Sequence, residues 1–356
     1  MAILKLNRDK LQHNYRFLDH LFEENDISWG IVSKLLCGNR AFLGEVIDLG
    51  IKEIHDSRVS NLKVIKSLDP EIQTVYIKPP PKRSIPNIVR FADVSLNTEY
   101  ETIRMLSEEA VRQEKTHKVI IMIELGDLRE GVLGDQLLEF YKGVFELPNI
   151  EIIGLGTNLN CLHGIMPSKD KLIQLSLYKQ LIEVTFGRKI PWVSGGTSVT
   201  IPLIFRKQLP KGVNHFRVGE TLFFGRNLFS GKVIKGMESG IFELLAEVIE
   251  VNEKPVVPHG LRGEDPSGEV YQIDPSEYGK ESTRAILDIG LLDVSPKYLL
   301  PKNKKIKIAG GSSDMILLDL GKNAANVKVG DQIPFSMKYM GALQLLNSDY
   351  VEKVVR

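Results

Sequence analysis

The sequence predicts a (β/α)8 barrel followed by a mostly antiparallel β domain, and three observations carry that prediction. Short apolar runs alternate with amphipathic helical patterns through the first two-thirds of the chain, the alternation that makes a parallel sheet with covering helices. Near residue 235 the grammar changes, and strand-like runs follow one another with turns and no long helices between them. A single lysine, Lys34, closes the first of the buried runs, where a barrel of this kind carries its chemistry.

Taken in order, residues 3–6 alternate like a strand, and Asn7 opens a helix on which Leu11, Tyr15, Leu18 and Phe22 recur at helical spacing. The predicted barrel strands lie near 28–34, 52–55, 72–77, 93–96, 118–125, 151–157, 190–194 and 213–218, with helical segments at 40–49, 57–67, 98–113, 135–146 and 171–187. Pro79-Pro80-Pro81 marks a stiff loop after the third strand. Beyond the change of grammar, strand-like stretches at 242–251, 284–289, 305–308, 315–320 and 332–337 are separated by turn-rich segments such as 252–255, 265–268 and 329–331. The expected division is a barrel at 1–235, with residues 1–6 free to join the second domain, and a β domain at 236–356.

Length and charge narrow the function classes. At 356 residues the chain is long for one core, so two domains are the default. A formal charge of +1, from 46 basic against 45 acidic side chains, gives no electrostatic reason to expect nucleic acid or an anionic membrane. Small-molecule chemistry is the better expectation. With only two cysteines, Cys37 and Cys161, and no secretory pattern at the start, a cytoplasmic location is expected. The longest aliphatic run, 119–123, is far too short to span a bilayer.

The candidate chemistry sits at the predicted strand ends. Trp29, Ile31 and Val32 read as a strand buried on both faces, and Gly38-Asn39 as the turn that ends it, leaving Lys34 at its carboxyl end. An unpaired buried ammonium is costly, and its usual escape is a lowered pKa that makes the amine a nucleophile toward aldehydes. A lysine snorkelling from a strand end is the plainer alternative. Strand five leads into Gly126-Asp127-Leu128-Arg129-Glu130-Gly131, whose arginine could fork onto a carboxylate. Strand seven leads into Ser194-Gly195-Gly196-Thr197-Ser198, where two glycines let backbone N–H groups approach an anion; strand eight leads through Arg217 to Gly219 and Glu220. Cys161 and His163 lack two further ligands at recognisable spacing, so no metal is expected, and Gly154-Leu155-Gly156 lacks the third glycine of a dinucleotide site.

The order Val32-Ser33-Lys34, Gly126 to Arg129 to Gly131, the Gly-Gly hydroxyl turn, Arg217-Val218-Gly219 and then Gly311-Ser312-Ser313-Asp314 resembles the fold-type III pyridoxal phosphate (PLP) enzymes of the alanine racemase superfamily. Asp127-Leu128-Arg129-Glu130-Gly131, Ser194-Gly195-Gly196 and Arg217-Val218-Gly219-Glu220 look most like the branch with ornithine racemase and broad-specificity amino-acid racemases. The resemblance spans nearly the whole chain.

What it implies is a PLP-dependent amino-acid racemase, acting by abstraction of the Cα proton, with ornithine, lysine and alanine as candidate substrates and a head-to-tail homodimer as the assembly. Lys34 would hold PLP as a Schiff base, and Arg217 would contact the pyridine nitrogen. Gly195, Gly196, Thr197, Ser198, Gly219 and Glu220 would surround the phosphate, with Tyr339 bonding it, and Arg129 would sit beside the substrate carboxylate. Two departures stand out. Asn158 occupies the place of the family's histidine against the cofactor ring, and Leu291, in Gly290-Leu291-Leu292-Asp293, replaces the tyrosine that serves the opposite face. Asp293, Ser313 and Asp314 are the leading candidates for that second acid or base, with Ser313 also a candidate for substrate binding; Cys161 and His163 follow. Asp127, Glu130 and Asp293 are eligible to meet a basic side chain. A decarboxylase of the same fold and a non-catalytic PLP carrier are the alternatives; the former lacks a Cys-Asp pair in the second domain, and the latter needs no such domain.

Overall fold

The computed structural model describes residues 2–261, 263 and 272–356, which fall into two compact units, Asp9–Ser239 and Met1–Arg8 with Gly240–Arg356. The turn expected at 265–268 lies outside the described residues.

In the larger unit, β2 (Ser28–Val32), β3 (Glu53–Asp56), β4 (Gln73–Tyr76), β5 (Val94–Asn97), β6 (His117–Met122), β7 (Ile150–Gly156) and β8 (Trp192–Ser194) pair in parallel, each with the next. After one residue, Gly195, the chain resumes as β9 (Gly196–Thr197), which pairs with β10 (His215–Val218), and β10 returns to β2. Segments β8 and β9 are thus one strand broken at Gly195. The ring has eight positions and closes as the (β/α)8 barrel.

Side chains on β10 and β2 show which face is which. Phe216 and Trp29 pack against Phe22 of helix α1 (Arg8–Glu23), at ring separations of 5.1 and 5.2 Å, so they point outward. By the two-residue period of a strand, His215, Arg217 and Gly30 point inward. The interior is divided. One side holds an apolar cluster of Val75, Val94, Leu96, Ile120, Met122 and Ile153. The other side is polar, built from Glu53, His55, Ser194, His215 and Arg217, all buried.

Helices follow every strand: α2 (Arg40–Ile47), α3 (Val59–Leu68), α4 (Ile85–Phe91), α5 (Tyr100–Arg112), α6 (Leu137–Phe145), α7 (Lys169–Phe186), α8 (Ile201–Phe205) and α9 (Glu220–Phe224). The helical pattern of α4 escapes a periodicity reading because it is seven residues long and follows three prolines; Pro86 is tolerated in its first turn, where no intrahelical N–H is needed.

The smaller unit is an antiparallel sheet ordered β13 (Leu299–Pro301), β16 (Gln332–Met337), β11 (Phe242–Pro255), β12 (Glu281–Leu287), β15 (Ile316–Gly321) and β14 (Lys307–Gly311). Strand β1 (Ile3–Leu6) pairs antiparallel with β11, Ile3 opposite Leu245, and parallel with β17 (Glu352–Val355). Helix α10 (Tyr339–Asn347) precedes β17. Burial alternates along β11 from Phe242 to Val248, the signature of a strand with one face on a core.

Candidate active site

Strand β2 stops at Val32, and buried Ser33 turns the chain. Its hydroxyl donates to Asp56 Oδ2 at 2.8 Å, while Asp56 Oδ1 accepts from the Arg58 N–H (2.9 Å) and Asn61 Nδ2 (3.0 Å). Lys34, Leu35 and Leu36 form one 3-10 turn, pinned by the two buried leucines. Lys34 itself is exposed, which corrects the expectation of a buried ammonium: the strand is buried, but the turn lifts the lysine into the open carboxyl end of the barrel. Across from it, burial raises the carboxyl of Glu220 above its usual range, against the opposing pull of Arg226 and Lys34.

Arg217 is 4% exposed and fully engaged. Nη1 donates to the Ser194 carbonyl (2.6 Å) and to the Ser194 hydroxyl; Nη2 donates to the Thr157 carbonyl (2.7 Å) and to Asn158 Oδ1 (2.8 Å). Four of the five guanidinium hydrogens are therefore used, and Nε–H alone is left without a partner among the described residues. Asn158 passes its amide N–H to Glu130 Oε1, which also pairs with Arg129 Nη2 at 2.7 Å. Burial brings the guanidinium down to about 10 against the attraction of Glu130, Cys161 and Glu53, so it is still a cation at neutral pH. Arg217 makes no ion pair with Glu220; its charge is met through Asn158 and Ser194 instead.

The turn after β6 is held from two sides. Gly126 and Leu128 donate backbone N–H groups to Glu124, and Leu128 takes a left-handed φ of 50° that only a fixed turn sustains. Asp127 is buried, and its carboxylate accepts from the N–H groups of Cys161 (3.0 Å), Leu162 (2.9 Å), His163 (3.2 Å) and Ile165 (3.3 Å), while its carbonyl meets His163 Nδ1 at 2.8 Å. Asp127 is thus spent on the backbone, so it is not a ligand for a substrate amine. Burial alone would raise this carboxyl, but the four N–H donors hold it below the ordinary range. A depressed carboxyl stabilises the fold above the unfolded value of ~3.9, and the contribution is lost as pH falls through the lower folded value. Asp127→Asn should therefore cost about 1–3 kcal/mol above about pH 5, with the gap to wild type closing below about pH 4. Urea unfolding across that range reads it, and a gap independent of pH would contradict the assignment.

The glycines after β8 also face packing constraints. A Cβ on Gly196 would meet the Phe216 ring at 2.0 Å, so packing requires that glycine, whereas one on Gly195 would press only on the mobile end of Leu175 at 2.9 Å. Anion approach does not by itself explain them. The hydroxyls are placed as a cradle: Ser198 Oγ accepts from the N–H of Thr221 (3.2 Å) and of Gly219 (3.4 Å), tying the loop after β9 to the one after β10, with Thr197 partly exposed beside it.

In the smaller unit, Gly290 to Leu292 lie against the 312–314 loop through N–H bonds from Leu291 to the Ser312 carbonyl (2.9 Å) and from Leu292 to the Ser313 carbonyl (3.0 Å). The three expected residues Asp293, Ser313 and Asp314 fall in these two adjoining loops. Asp293 is taken by Ser348 (2.5 Å) and the Gly290 N–H, whereas Ser313 and Asp314 are exposed and their side chains are joined by a hydrogen bond at 2.8 Å. Tyr339 is half-buried as the first residue of α10.

Beneath Arg217 lies a group that sequence reasoning missed. Glu53 Oε1 meets His215 Nε2 at 2.8 Å and His55 Nε2 at 2.5 Å, Glu53 Oε2 takes Gln73 Nε2 at 2.5 Å, and His215 Nδ1 faces the Ser194 hydroxyl at 2.6 Å. These contacts cross β2 at Gly30, where a Cβ would strike His55 at 2.4 Å. The available signal was polar residues two apart on buried strands, Glu53-x-His55 and His215-x-Arg217, around a strand glycine.

An exposed primary amine, a buried guanidinium with one donor to spare, and hydroxyls with backbone N–H groups at paired loop ends together make a donor set that fits PLP: an aldehyde, a pyridine nitrogen and a phosphate. Residues 6–227 match the family described as alanine racemase, N-terminal domain. The chain is 35% identical over 351 residues to the ornithine racemase of Acetoanaerobium sticklandii, covering 98% of each, and 31% identical over 351 residues to the lysine racemase of Thermotoga maritima, covering 99% of this chain and 97% of that one. It also superimposes on the alanine racemase of Bartonella henselae with covalently bound pyridoxal phosphate at a TM-score of 0.74 and 16% identity, covering 100% of this chain and 99% of that one.

Proposed function

The chain belongs to the alanine racemase family and is an amino-acid racemase, and from that premise we propose that it binds PLP through Lys34 and Arg217 and acts on ornithine or lysine in preference to alanine. The observation that carries the cofactor reading is the guanidinium of Arg217, fixed by four hydrogen bonds with Nε–H left over. The full-length relatives named for ornithine and lysine support the substrate class.

PLP, when bound, supplies an electron sink conjugated to the substrate amine, which acidifies the Cα proton. Lys34 contributes the amine that carries it and then removes or returns that proton on its own face. Arg217 offers Nε–H to the ring nitrogen. A guanidinium does not release its proton near neutral pH, so Arg217 would present a donor to a bound ring nitrogen without protonating it, which would restrain the sink and favour proton return over elimination. Asn158 orients Arg217 and Glu130 at once, and Arg129, half-committed to Glu130, is the cation for a substrate carboxylate. Thr197, Ser198 and the backbone around Gly219 and Glu220 would hold the phosphate. For the second acid or base, Ser313 and Asp314 are the better candidates, because Asp293 is held by Ser348 and Gly290. A homodimer belongs to the same reading. Among the described residues no helix is long and apolar enough to cross a membrane, and a cytoplasmic location is part of the proposal.

Incubating the PLP-loaded protein in heavy water with each enantiomer of ornithine, lysine and alanine should give Cα deuterium together with the opposite enantiomer on a chiral column. The kcat/KM for one of the basic substrates is expected to exceed that for alanine by about tenfold or more. Alanine as the best substrate would overturn the specificity, and carbon dioxide release would make the protein a decarboxylase. Full PLP content without any exchange would make it a carrier.

A further inference from the structure

The polar half of the barrel interior forms one continuous line of hydrogen bonds running away from Arg217, and its donors and acceptors admit one consistent assignment. Burial by itself would raise Glu53, yet His215 and His55 hold it well below the ordinary carboxylate range, so it is an anion. His215 Nε2 and His55 Nε2 must then both donate to it. His215 Nδ1 is left to accept from the Ser194 hydroxyl, which itself accepts from Arg217 Nη1. Every hydrogen runs in the same direction, from the guanidinium to the carboxylate. His215 is further fixed by stacking on Trp192, at 4.2 Å and 7°. His55 Nδ1 is buried without a partner among the described residues, and burial lowers the proton affinity of that imidazole, which leaves a bare lone pair there.

The same three residues could be read as ligands of a divalent ion, since their donor atoms lie within 4.8 Å of one another. Two features oppose it. The N-to-O separations of 2.5 and 2.8 Å are those of hydrogen bonds between the groups, and a metal on the two Nε2 atoms would leave His55 with a buried Nδ1–H lacking an acceptor.

We propose that Glu53 is the buried counter-charge of Arg217, acting through His215 and Ser194, and that these three are positioning residues that hold the guanidinium with Nε–H toward the cofactor ring nitrogen. A cation in a low-dielectric interior needs an anion it can reach. Glu130 supplies one on the open side through Asn158; Glu53 supplies the other from within the barrel, where water and substrate do not change its strength. With both in place the guanidinium is held from two directions and cannot turn to spend its remaining donor elsewhere. Gly30 is part of the device, because any side chain there would close the path over β2.

The inference rests on the racemase reading with Arg217 at the ring nitrogen, and the test separates the two. The holoenzyme is prepared with ring-15N-labelled PLP, and the nitrogen shift, the cofactor absorption spectrum and steady-state kinetics are recorded for wild type and for Glu53→Gln, Glu53→Asp, His215→Phe, Glu53→Gln with His215→Phe, and Arg217→Gln. Glutamine keeps the shape of Glu53 and removes its charge. Glu53→Gln should move the 15N shift and the absorption band toward those of Arg217→Gln and lower kcat about tenfold, with KM within about twofold. Glu53→Asp should restore part of both, and the double variant should match the worse single variant, as for residues acting in one path. If Arg217→Gln shifts the nitrogen and Glu53→Gln does not, or the two single effects add, Glu53 is only packing and the inference fails. If Arg217→Gln leaves the nitrogen unmoved, the racemase reading of Arg217 itself fails. One equivalent of a divalent metal per chain in the purified protein would also overturn the relay in favour of a metal site.

Discussion

Lys34→Ala is expected to lower racemisation by roughly 10³-fold or more, because on the proposed reading it removes both the group that carries the cofactor and the base on one face of the substrate. The structure makes this a clean experiment. Lys34 is exposed, whereas the turn it begins is anchored by Leu35 and Leu36 and by the Ser33 hydroxyl on Asp56, none of which the substitution touches. Unfolding stability should stay within about 0.5 kcal/mol of wild type. Borohydride reduction of the yellow holoenzyme followed by peptide mapping should place the label on Lys34. The competitor to watch is Lys171, whose Nζ donates to the Leu125 carbonyl (2.5 Å) and would lie 3.0 Å from a Cβ on Gly126. A label on Lys171 would move the chemistry to the end of β6 and end the present reading.

Why Lys34 stood out as a candidate in the sequence while its surroundings did not follows from where each signal lives in the chain. A lone lysine after Trp29-Gly30-Ile31-Val32 is a local pattern, and so are Arg217 between buried residues and the single change of strand grammar near residue 235 that divides the barrel from the β domain. The eight strands, their order and the antiparallel partner sheet could be read because each is set by nearest neighbours and period. Exposure of Lys34 depends on a single 3-10 turn that propensity cannot see. The two glycines at 195 and 196 look alike to an anion site and to a packing site; only the Phe216 ring, distant in sequence, shows that packing requires glycine at 196. Glu53, His55 and His215 are 162 residues apart at their extremes, and nothing local says that β10 and β3 flank the strand bearing Gly30. Asp127 was eligible for a substrate amine until four backbone N–H groups from 161–165 were found on it.

For Arg217→Glu, the expected result is a protein that folds less stably and partitions its chemistry differently. The substitution strips donors from the Ser194 and Thr157 carbonyls, the Ser194 hydroxyl and Asn158 Oδ1, and it sets an acid between Glu53, reached through Ser194 and His215, and Glu130, reached through Asn158. Removing one member of a buried charge system costs on the order of 3–5 kcal/mol, seen as a lower urea midpoint. Burial and two nearby carboxylates both favour the protonated form of the new side chain. A carboxylic acid, unlike a guanidinium, can surrender its proton to the ring nitrogen, and a protonated ring is a stronger electron sink. With such a sink bound, proton return to Cα would compete less well with side reactions. Racemisation should fall by about 10²-fold or more, while the share of turnovers that end in transamination, read as loss of cofactor absorbance and recovery with added PLP, should rise. An Arg217→Glu holoenzyme with full PLP content and an unchanged ratio of racemisation to transamination would show that Arg217 does not set the protonation of the ring, and the donor left over on its Nε would need another acceptor.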